Sequence, residues 1–110
     1  MEYTLDSGAS MSCIGQRSAF LTFEKVNIPI ATYGKNGTRV MATGRGIIAI
    51  QGTSANGHNN CVKVEALYVP NAKVNLLSIG QLCAKGMTTT FLPNGQCVVR
   101  GPRGVELFRA

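Results

Sequence analysis

Short runs of β-branched and apolar residues alternate with turn signals along almost the whole chain. Clusters of Gly, Asn and Pro recur at short intervals, and this spacing is typical of an all-β domain built from local hairpins. The predicted strands span residues 3–5, 12–14, 26–32, 38–43, 47–51, 61–69, 88–92, 97–100 and 105–108. Residues 53–60 have no apolar anchor beyond Ala55, so we expect them to form a mobile surface loop.

One segment departs from the strand pattern and predicts a short helix. Ser78 can cap a helix that runs to Ala84, and Gly86 supplies a signal for its end. Residues 16–23 are expected to add a helical turn. The chain shows no internal repeat, low-complexity segment or linker, so residues 1–110 are expected to form a single domain.

Composition predicts a folded, basic domain. The 110 residues allow one modest core, and 45% hydrophobic with 15% charged residues argues against disorder. Eleven Lys and Arg against five Asp and Glu give a net charge of +6. The apolar runs are too short to span a membrane, and the first residues do not form a signal peptide, so a soluble protein without membrane contact is expected.

The small number of acids and histidines limits the possible chemistry. Asp6 is the one aspartate and His58 the one histidine, so a mechanism that needs two of either cannot come from one copy. The four cysteines form no Cys-x-x-Cys pair, which argues against a zinc knuckle or a thioredoxin motif. We expect free, reduced and mostly buried thiols in an intracellular protein. A hydrolase using Cys61 with His58 is disfavoured, because an irregular loop does not orient the base.

The segment around Asp6 carries the most informative chemistry. An apolar strand ends at Asp6, and small residues follow it. On a strand Asp6 and Ser7 point to opposite faces, so they cannot act as a local nucleophile and base. Gly8 and Ala9 leave room for another backbone to approach the carboxylate, which suits the floor of a groove that binds an extended chain. The same residues also form ordinary Asx turns, so both interpretations stay open at this point.

Three further motifs follow Asp6 in order along the chain. They are a Gly-punctuated segment around Gly44-Arg45-Gly46, the run ALYVP at 66–70, and the run VNLLSIGQL at 74–82. With the acid loop LDSGAS at 5–10, they resemble the aspartic protease segment of copia-type LTR retrotransposon polyproteins, a branch of the retropepsin-like family. The resemblance extends from Tyr3 to about Val99.

This resemblance implies a fold and an activity. The expected fold is an all-β, retropepsin-like closed barrel with one short helix and a flap hairpin at about 38–51, active as a symmetric homodimer. The expected activity is aspartic endopeptidase processing of a Gag-Pol-type polyprotein, with one Asp6 from each chain forming the dyad that directs water at the peptide bond. Because two adjacent carboxylates do not both ionise readily, activity is expected to peak at mildly acidic pH. No metal or cofactor is implied.

The resemblance also assigns roles to individual residues. The catalytic residues are Asp6, Ser7 and Gly8, where the Ser7 hydroxyl locks the two acid loops together and the Gly8 carbonyl binds the substrate backbone. The expected substrate-binding residues are Ala9, Ser10, Gly44, Arg45, Gly46, Lys73, Val74 and Leu76, with Thr4 and Cys13 opposite the last two. Arg39 and Arg45 equally fit a solvated hairpin edge. Val74 and Leu76 equally fit core packing.

Two departures from the pattern concern the dimer. Many retroviral relatives pair an acid after the acid loop with an arginine at the start of the helix, and Ser10 and Ile79 hold those positions here. Only five residues precede Asp6 in this sequence, where relatives usually place a hairpin that helps to form the dimer. Either the sequence is trimmed before that hairpin, or the strands around 98–108 supply the interface instead. We expect the dimer to depend on packing and on Ser7.

The expected partners are a second copy and extended segments of the parent polyprotein, in a cytoplasmic virus-like particle. Nucleic acid is not expected to be a primary partner, because the cations are scattered along the chain. Their charge could still attract the domain to an RNA-filled particle. The alternative function is a non-catalytic peptide-binding or domesticated interaction domain that keeps the protease fold.

Overall fold

The computed structural model describes residues 3–30, 40–53, 57–70 and 72–110. Within these ranges the chain is mostly β-strand with one short helix, as predicted. The strands are β1 (Thr4–Asp6), β2 (Ser12–Ile14), β3 (Glu24–Ile30), β4 (Val40–Thr53), β5 (Asn59–Tyr68), β6 (Leu76–Ser78), β7 (Thr88–Phe91), β8 (Cys97–Arg100) and β9 (Glu106–Arg109). The helix α1 spans Ile79–Ala84, and a 3-10 turn covers Arg17–Ala19. No helix in the described ranges is long and apolar enough to cross a membrane.

The strands form two sheets rather than the predicted closed barrel. The larger sheet has the order β1-β6-β2-β5-β4-β3, and the smaller one has the order β7-β8-β9. β1 and β3 are the edges of the larger sheet, and no pairing among the described residues joins them. β6, a strand that the sequence pattern missed, inserts between β1 and β2 and pairs in parallel with β1.

The predicted flap hairpin at 38–51 is wrong. Residues 38 and 39 lie outside the described ranges, and β4 then runs without a turn through Gly44, Arg45 and Gly46. A Cβ on Gly44 would lie 2.2 Å from the Phe23 ring, and one on Gly46 would lie 1.8 Å from the Thr22 carbonyl oxygen. These glycines are therefore needed for the close packing of residues 22–23 on a continuous strand.

The main hydrophobic core joins both sheets and the helix. Its most buried members come from β2, β4, β5 and β6, with Leu82 from α1 and Val99 and Phe108 from the smaller sheet. Phe20, Phe23 and Tyr68 pack edge to face, with ring centroids 5.8–5.9 Å apart. Edge-to-face aromatic packing adds to the stabilisation from burial alone. The core thus fixes the smaller sheet and α1 against the larger sheet.

A second, smaller cluster lies at the end of β5. β5 pairs with β4 only from Gly44 onward, so the preceding residues of β4 pair with β3 alone. We call this two-stranded extension, residues 28–30 and 40–42, the β3–β4 arm. Its apolar side chains pack with the buried Leu67 and Val69. The residues between its two strands, 31–39, lie outside the described ranges.

Local signals gave most of the turns correctly. Gly57, Gly86, Gly95 and Gly104 all have φ between 77° and 85°, a conformation that favours glycine, at turn or helix-end positions predicted from the sequence. Of the loop predicted at 53–60, residue 53 belongs to β4 and residues 59–60 to β5, while residues 54–56 lie outside the described ranges. The expectation of mostly buried cysteines is wrong, since Cys61 and Cys83 are exposed, Cys13 is half-buried and Cys97 is buried.

Candidate functional site

The acid loop, residues 6–10, follows the end of edge strand β1. Asp6 is half-buried, and its Oδ1 accepts a hydrogen bond from the Gly8 N–H at 2.8 Å. This is the Asx turn that the sequence allowed, and it fixes the orientation of the carboxylate. Ser7, Gly8 and Ser10 are exposed, whereas Ala9 is half-buried. The loop therefore presents one oriented carboxylate with open space beside it.

Ser78 anchors the acid loop to the start of α1. Its Oγ donates to the Ala9 carbonyl oxygen at 2.7 Å and accepts from the Gln81 N–H at 3.1 Å. Ser78 is only 1% exposed, so both bonds are protected from water. One hydroxyl thus caps the helix, as predicted, and also holds the loop, which the sequence did not reveal.

Gln81 connects α1 to two strands of the larger sheet. Its Oε1 accepts from the Ser12 N–H at 2.7 Å and from Ser12 Oγ at 2.6 Å. Its Nε2 donates to the Glu65 carbonyl oxygen at 2.8 Å. Ser12 Oγ in turn accepts from the Ser78 N–H at 3.0 Å, which links this group to the anchor of the acid loop. We call Ser12, Ser78 and Gln81 the polar clamp.

Sequence reasoning missed the polar clamp because its members are far apart in the chain. Ser12 and Gln81 are separated by 69 residues. The available signal was local: Ser12 stands in an apolar strand, and Gln81 lies in a helix whose neighbouring residues are apolar. Buried polar groups need partners, so two such positions in apolar segments indicate a polar contact between them.

The residues predicted to form the groove wall lie along β6 and in the chain before it. Leu76 in β6 pairs with Thr4 on one side and with Cys13 on the other, so these three residues are neighbours in the larger sheet. Lys73 and Val74 precede β6 and are exposed, Val74 by 56%. Leu76 itself is half-buried. Because Asp6 pairs with Ser78, Leu76 lies two residues away from the acid loop along β6, and Lys73 and Val74 lie farther along, toward the other end of β1.

Gly44, Arg45 and Gly46 are not brought to the acid loop. One row of paired residues crosses the sheet and consists of Thr4, Leu76, Cys13, Leu67 and Arg45. Four strand spacings separate Thr4 from Arg45, a distance of about 19 Å. Arg45 instead forms an exposed ion pair with Glu24 at 3.2 Å, which contributes little to stability. The prediction that these three residues form a hairpin tip over the substrate is therefore wrong, because the strand that carries them lies away from the acid loop.

The remaining chemistry near the site is sparse. Burial raises the pKa of the Cys13 thiol, which keeps it protonated and unreactive at neutral pH. Among the described residues, no group of three or more His, Cys, Asp or Glu side chains is placed to hold a metal ion. His58 and Cys61 are exposed at the start of β5. The arrangement thus offers one carboxylate per chain, which can transfer protons to or from a bound water.

Comparison with known families gives one match. The family described as "Pol polyprotein, beta-barrel domain" matches residues 3–87, a range that includes the acid loop and the polar clamp and ends before β7. No curated protein matches the chain. The match confirms the predicted origin in a retroelement polyprotein, and it covers most of the chain. The chain therefore belongs to the family of Pol polyprotein β-barrel domains.

Proposed function

We propose that this domain is the aspartic endopeptidase of its polyprotein, with Asp6 from two copies forming the catalytic dyad. The observation that carries the proposal is the acid loop. Its carboxylate is oriented by the Gly8 N–H, its backbone is anchored by Ser78, and its serines are exposed. A loop held at two points keeps a catalytic group in position without covering it.

The proposal needs a second copy, because the chain contains one aspartate. β1 is an edge strand of the larger sheet, so the acid loop lies where another molecule can approach it. A twofold axis beside Asp6 would make the contact isologous and place the two carboxylates together. The exposed Ser7 hydroxyl would then donate to the backbone of the opposite loop.

The chemistry requires one carboxylate to be ionised and the other protonated. The ionised carboxylate takes a proton from water as the water oxygen attacks the scissile carbonyl carbon, and the protonated one donates its proton to the carbonyl oxygen. The resulting gem-diol collapses when the first carboxyl, now protonated, donates its proton to the amide nitrogen, a gem-diol hydroxyl returns a proton to the second carboxylate, and the C–N bond breaks. The products are a carboxylic acid and an amine, and no metal is required.

The substrate would be an extended segment of the parent polyprotein, bound as an added strand. The Gly8 carbonyl would accept from its backbone, with Ala9 and Ser10 beside it. Leu76 and Val74 would contact apolar side chains, and Lys73 would favour an acidic side chain at the rim. Cleavage by the domain would follow polyprotein assembly in a cytoplasmic particle.

The test is cleavage of a fluorogenic library of extended apolar peptides between pH 5 and 7. Asp6→Asn is expected to abolish cleavage, and Glu24→Gln, the same chemical change at an exposed acid in β3, is expected to leave it unchanged. Activity should rise faster than linearly with protein concentration, because the dimer is the active form. Pepstatin, which binds aspartic dyads, should inhibit it.

A different pattern would favour the alternative function. If the folded wild-type domain binds extended peptides but cleaves none at any concentration, it is a peptide-binding module that keeps the fold. Equal cleavage by wild type and Asp6→Asn would contradict the proposed mechanism.

A further inference from the structure

The positive charge of this domain is concentrated in its last quarter. Residues 85–110 contain four cations (Lys85, Arg100, Arg103 and Arg109) and one acid, Glu106, so they contribute +3 of the net +6. Glu106 is already paired with Arg109, at 3.0 Å. Most of this segment, residues 88–110, lies beyond the range matched by the Pol family. Most of this charge therefore lies outside the matched range.

The fold gathers these cations, although they are scattered in the sequence. Arg100 pairs with Thr88 on one side and with Glu106 on the other, and Val98 pairs with Thr90 and Arg109, so the register places two arginines, two threonines, Val98 and the one acid of this segment on one face of the smaller sheet. The Arg100 Nη1 donates to Thr90 Oγ1 at 3.2 Å. This face of the sheet thus carries guanidinium groups with hydroxyl groups beside them.

Lys85 and Arg103 extend the same charge at the end of the sheet. A Cβ on Gly86 would lie 3.2 Å from Pro102 Cγ, so the turn after α1 touches the turn between β8 and β9. Lys85 and Arg103 are the chain neighbours of these two contacting residues, and both are exposed. The two turns therefore meet, and each of them carries one exposed cation.

The apolar residue on this face is covered. Val98 is 1% exposed but belongs to neither hydrophobic cluster of the domain. Its cross-strand partners are Thr90 and Arg109, so polar side chains stand on both sides of it. The face has no apolar pocket for a peptide side chain, but it presents repeated cations and hydroxyls that suit phosphate oxygens.

We propose that this basic face, Lys85, Thr88, Thr90, Arg100, Arg103 and Arg109, binds the phosphate backbone of single-stranded nucleic acid without sequence preference. Backbone contacts of this kind depend on charge and release counterions on binding. The face lies on the smaller sheet, whereas the acid loop lies at the edge of the larger one. Nucleic acid bound there would retain the domain near its polyprotein without blocking the acid loop.

The test measures binding of fluorescent 20-mers of RNA and of DNA with the same sequence, by anisotropy, from 50 to 200 mM salt. Two double variants are compared: Lys85→Gln with Arg103→Gln, and Lys25→Gln with Lys63→Gln. Both remove two exposed cations and lower the net charge equally, but the second pair lies on the larger sheet. Urea unfolding of each variant confirms that it is folded.

The expected result is a loss of about tenfold or more in affinity for the first pair at 50 mM salt, with a fall in the salt slope of about 1.4. The second pair should change affinity less than about twofold by the same relation. RNA and DNA should bind alike if the backbone phosphates are the ligand, and preference for RNA would add the 2′-hydroxyl to the contact.

Three results would overturn the proposal. Equal losses in both double variants would show an effect of net charge alone. Unchanged binding in both would place the nucleic acid elsewhere. Competition by poly-glutamate as strong as that of nucleic acid at equal charge would identify an acidic protein segment as the ligand instead.

Discussion

Removing the Gln81 side chain is expected to destabilise the domain far more than its partial exposure suggests. In Gln81→Ala, the Ser12 N–H and hydroxyl lose the acceptor that they share, and the Glu65 carbonyl loses a donor. Ser12 is 1% exposed, so water does not readily replace these bonds. The change therefore acts on the support beneath the acid loop rather than on a surface contact.

The magnitude follows from the groups left without partners. A buried donor that loses its acceptor costs about 1–3 kcal/mol, and the two groups of Ser12 together cost about 2–4 kcal/mol. Alanine recovers a few tenths of a kcal/mol through its higher helix propensity. We expect a net loss of about 2–3 kcal/mol, a large part of the ~5–15 kcal/mol that stabilises a domain of ordinary size.

Urea unfolding followed by far-UV circular dichroism measures this loss at one fixed protein concentration. With a slope of about 1–3 kcal/mol per molar urea, the midpoint should fall by about 0.7–3 M. Gln81→Glu should lose less, because its carboxylate still accepts from Ser12 and only the bonds from Nε2 to the Glu65 carbonyl and to Met11 Sδ are removed. Gln51→Ala, at an exposed position of β4, should stay within about 0.5 kcal/mol of wild type.

A loss below about 0.5 kcal/mol in Gln81→Ala would refute the assigned role of the polar clamp. Equal losses in Gln81→Ala and Gln51→Ala would also refute it, since they would reflect glutamine removal in general.

Two further predictions concern β4 and Cys13. Gly46→Ala should destabilise the fold by about 3 kcal/mol, because the added Cβ would meet the Thr22 carbonyl oxygen. Gly80→Ala in α1, where the nearest contact of the added Cβ is at 3.6 Å, should be neutral or stabilising. An unchanged unfolding midpoint in Gly46→Ala would instead support a mobile hairpin tip at this position. Iodoacetamide at pH 8.5 should alkylate the exposed Cys61 and Cys83 faster than Cys13, as followed by mass spectrometry, because burial raises the pKa of the Cys13 thiol above 9.0. Because the folded state favours the protonated Cys13 thiol, the contribution of this group to stability is complete below pH 9.0 and is lost as the pH rises through its raised pKa. Equal alkylation rates at the three thiols would contradict the raised pKa of Cys13.

The features that sequence predicted well are those set by neighbouring residues. The Asx turn at Asp6 depends on a residue two positions away, and the cap at Ser78 on one three positions away. The turns at Gly95 and Gly104 need only a residue that tolerates positive φ. Such signals are short in range, so a single sequence carries them completely.

The features that sequence missed depend on distant partners. β6 is three residues long and is a strand only because β1 and β2 flank it, from more than sixty residues upstream. Gly44 and Gly46 suggested a turn, but their smallness serves the approach of Phe23 and Thr22. The same glycine can permit a turn or a close contact, and the neighbouring sequence does not distinguish the two.

The most direct test of the central claim mixes wild type with Asp6→Asn at constant total concentration and follows peptide cleavage. If each active site needs one Asp6 from each of two copies, a one-to-one mixture should retain about one quarter of the wild-type activity, since only dimers of two wild-type chains cleave. Matching unfolding curves for the two proteins establish that both are folded. A mixture that retains half of the activity would show that one chain suffices, and it would contradict the shared dyad.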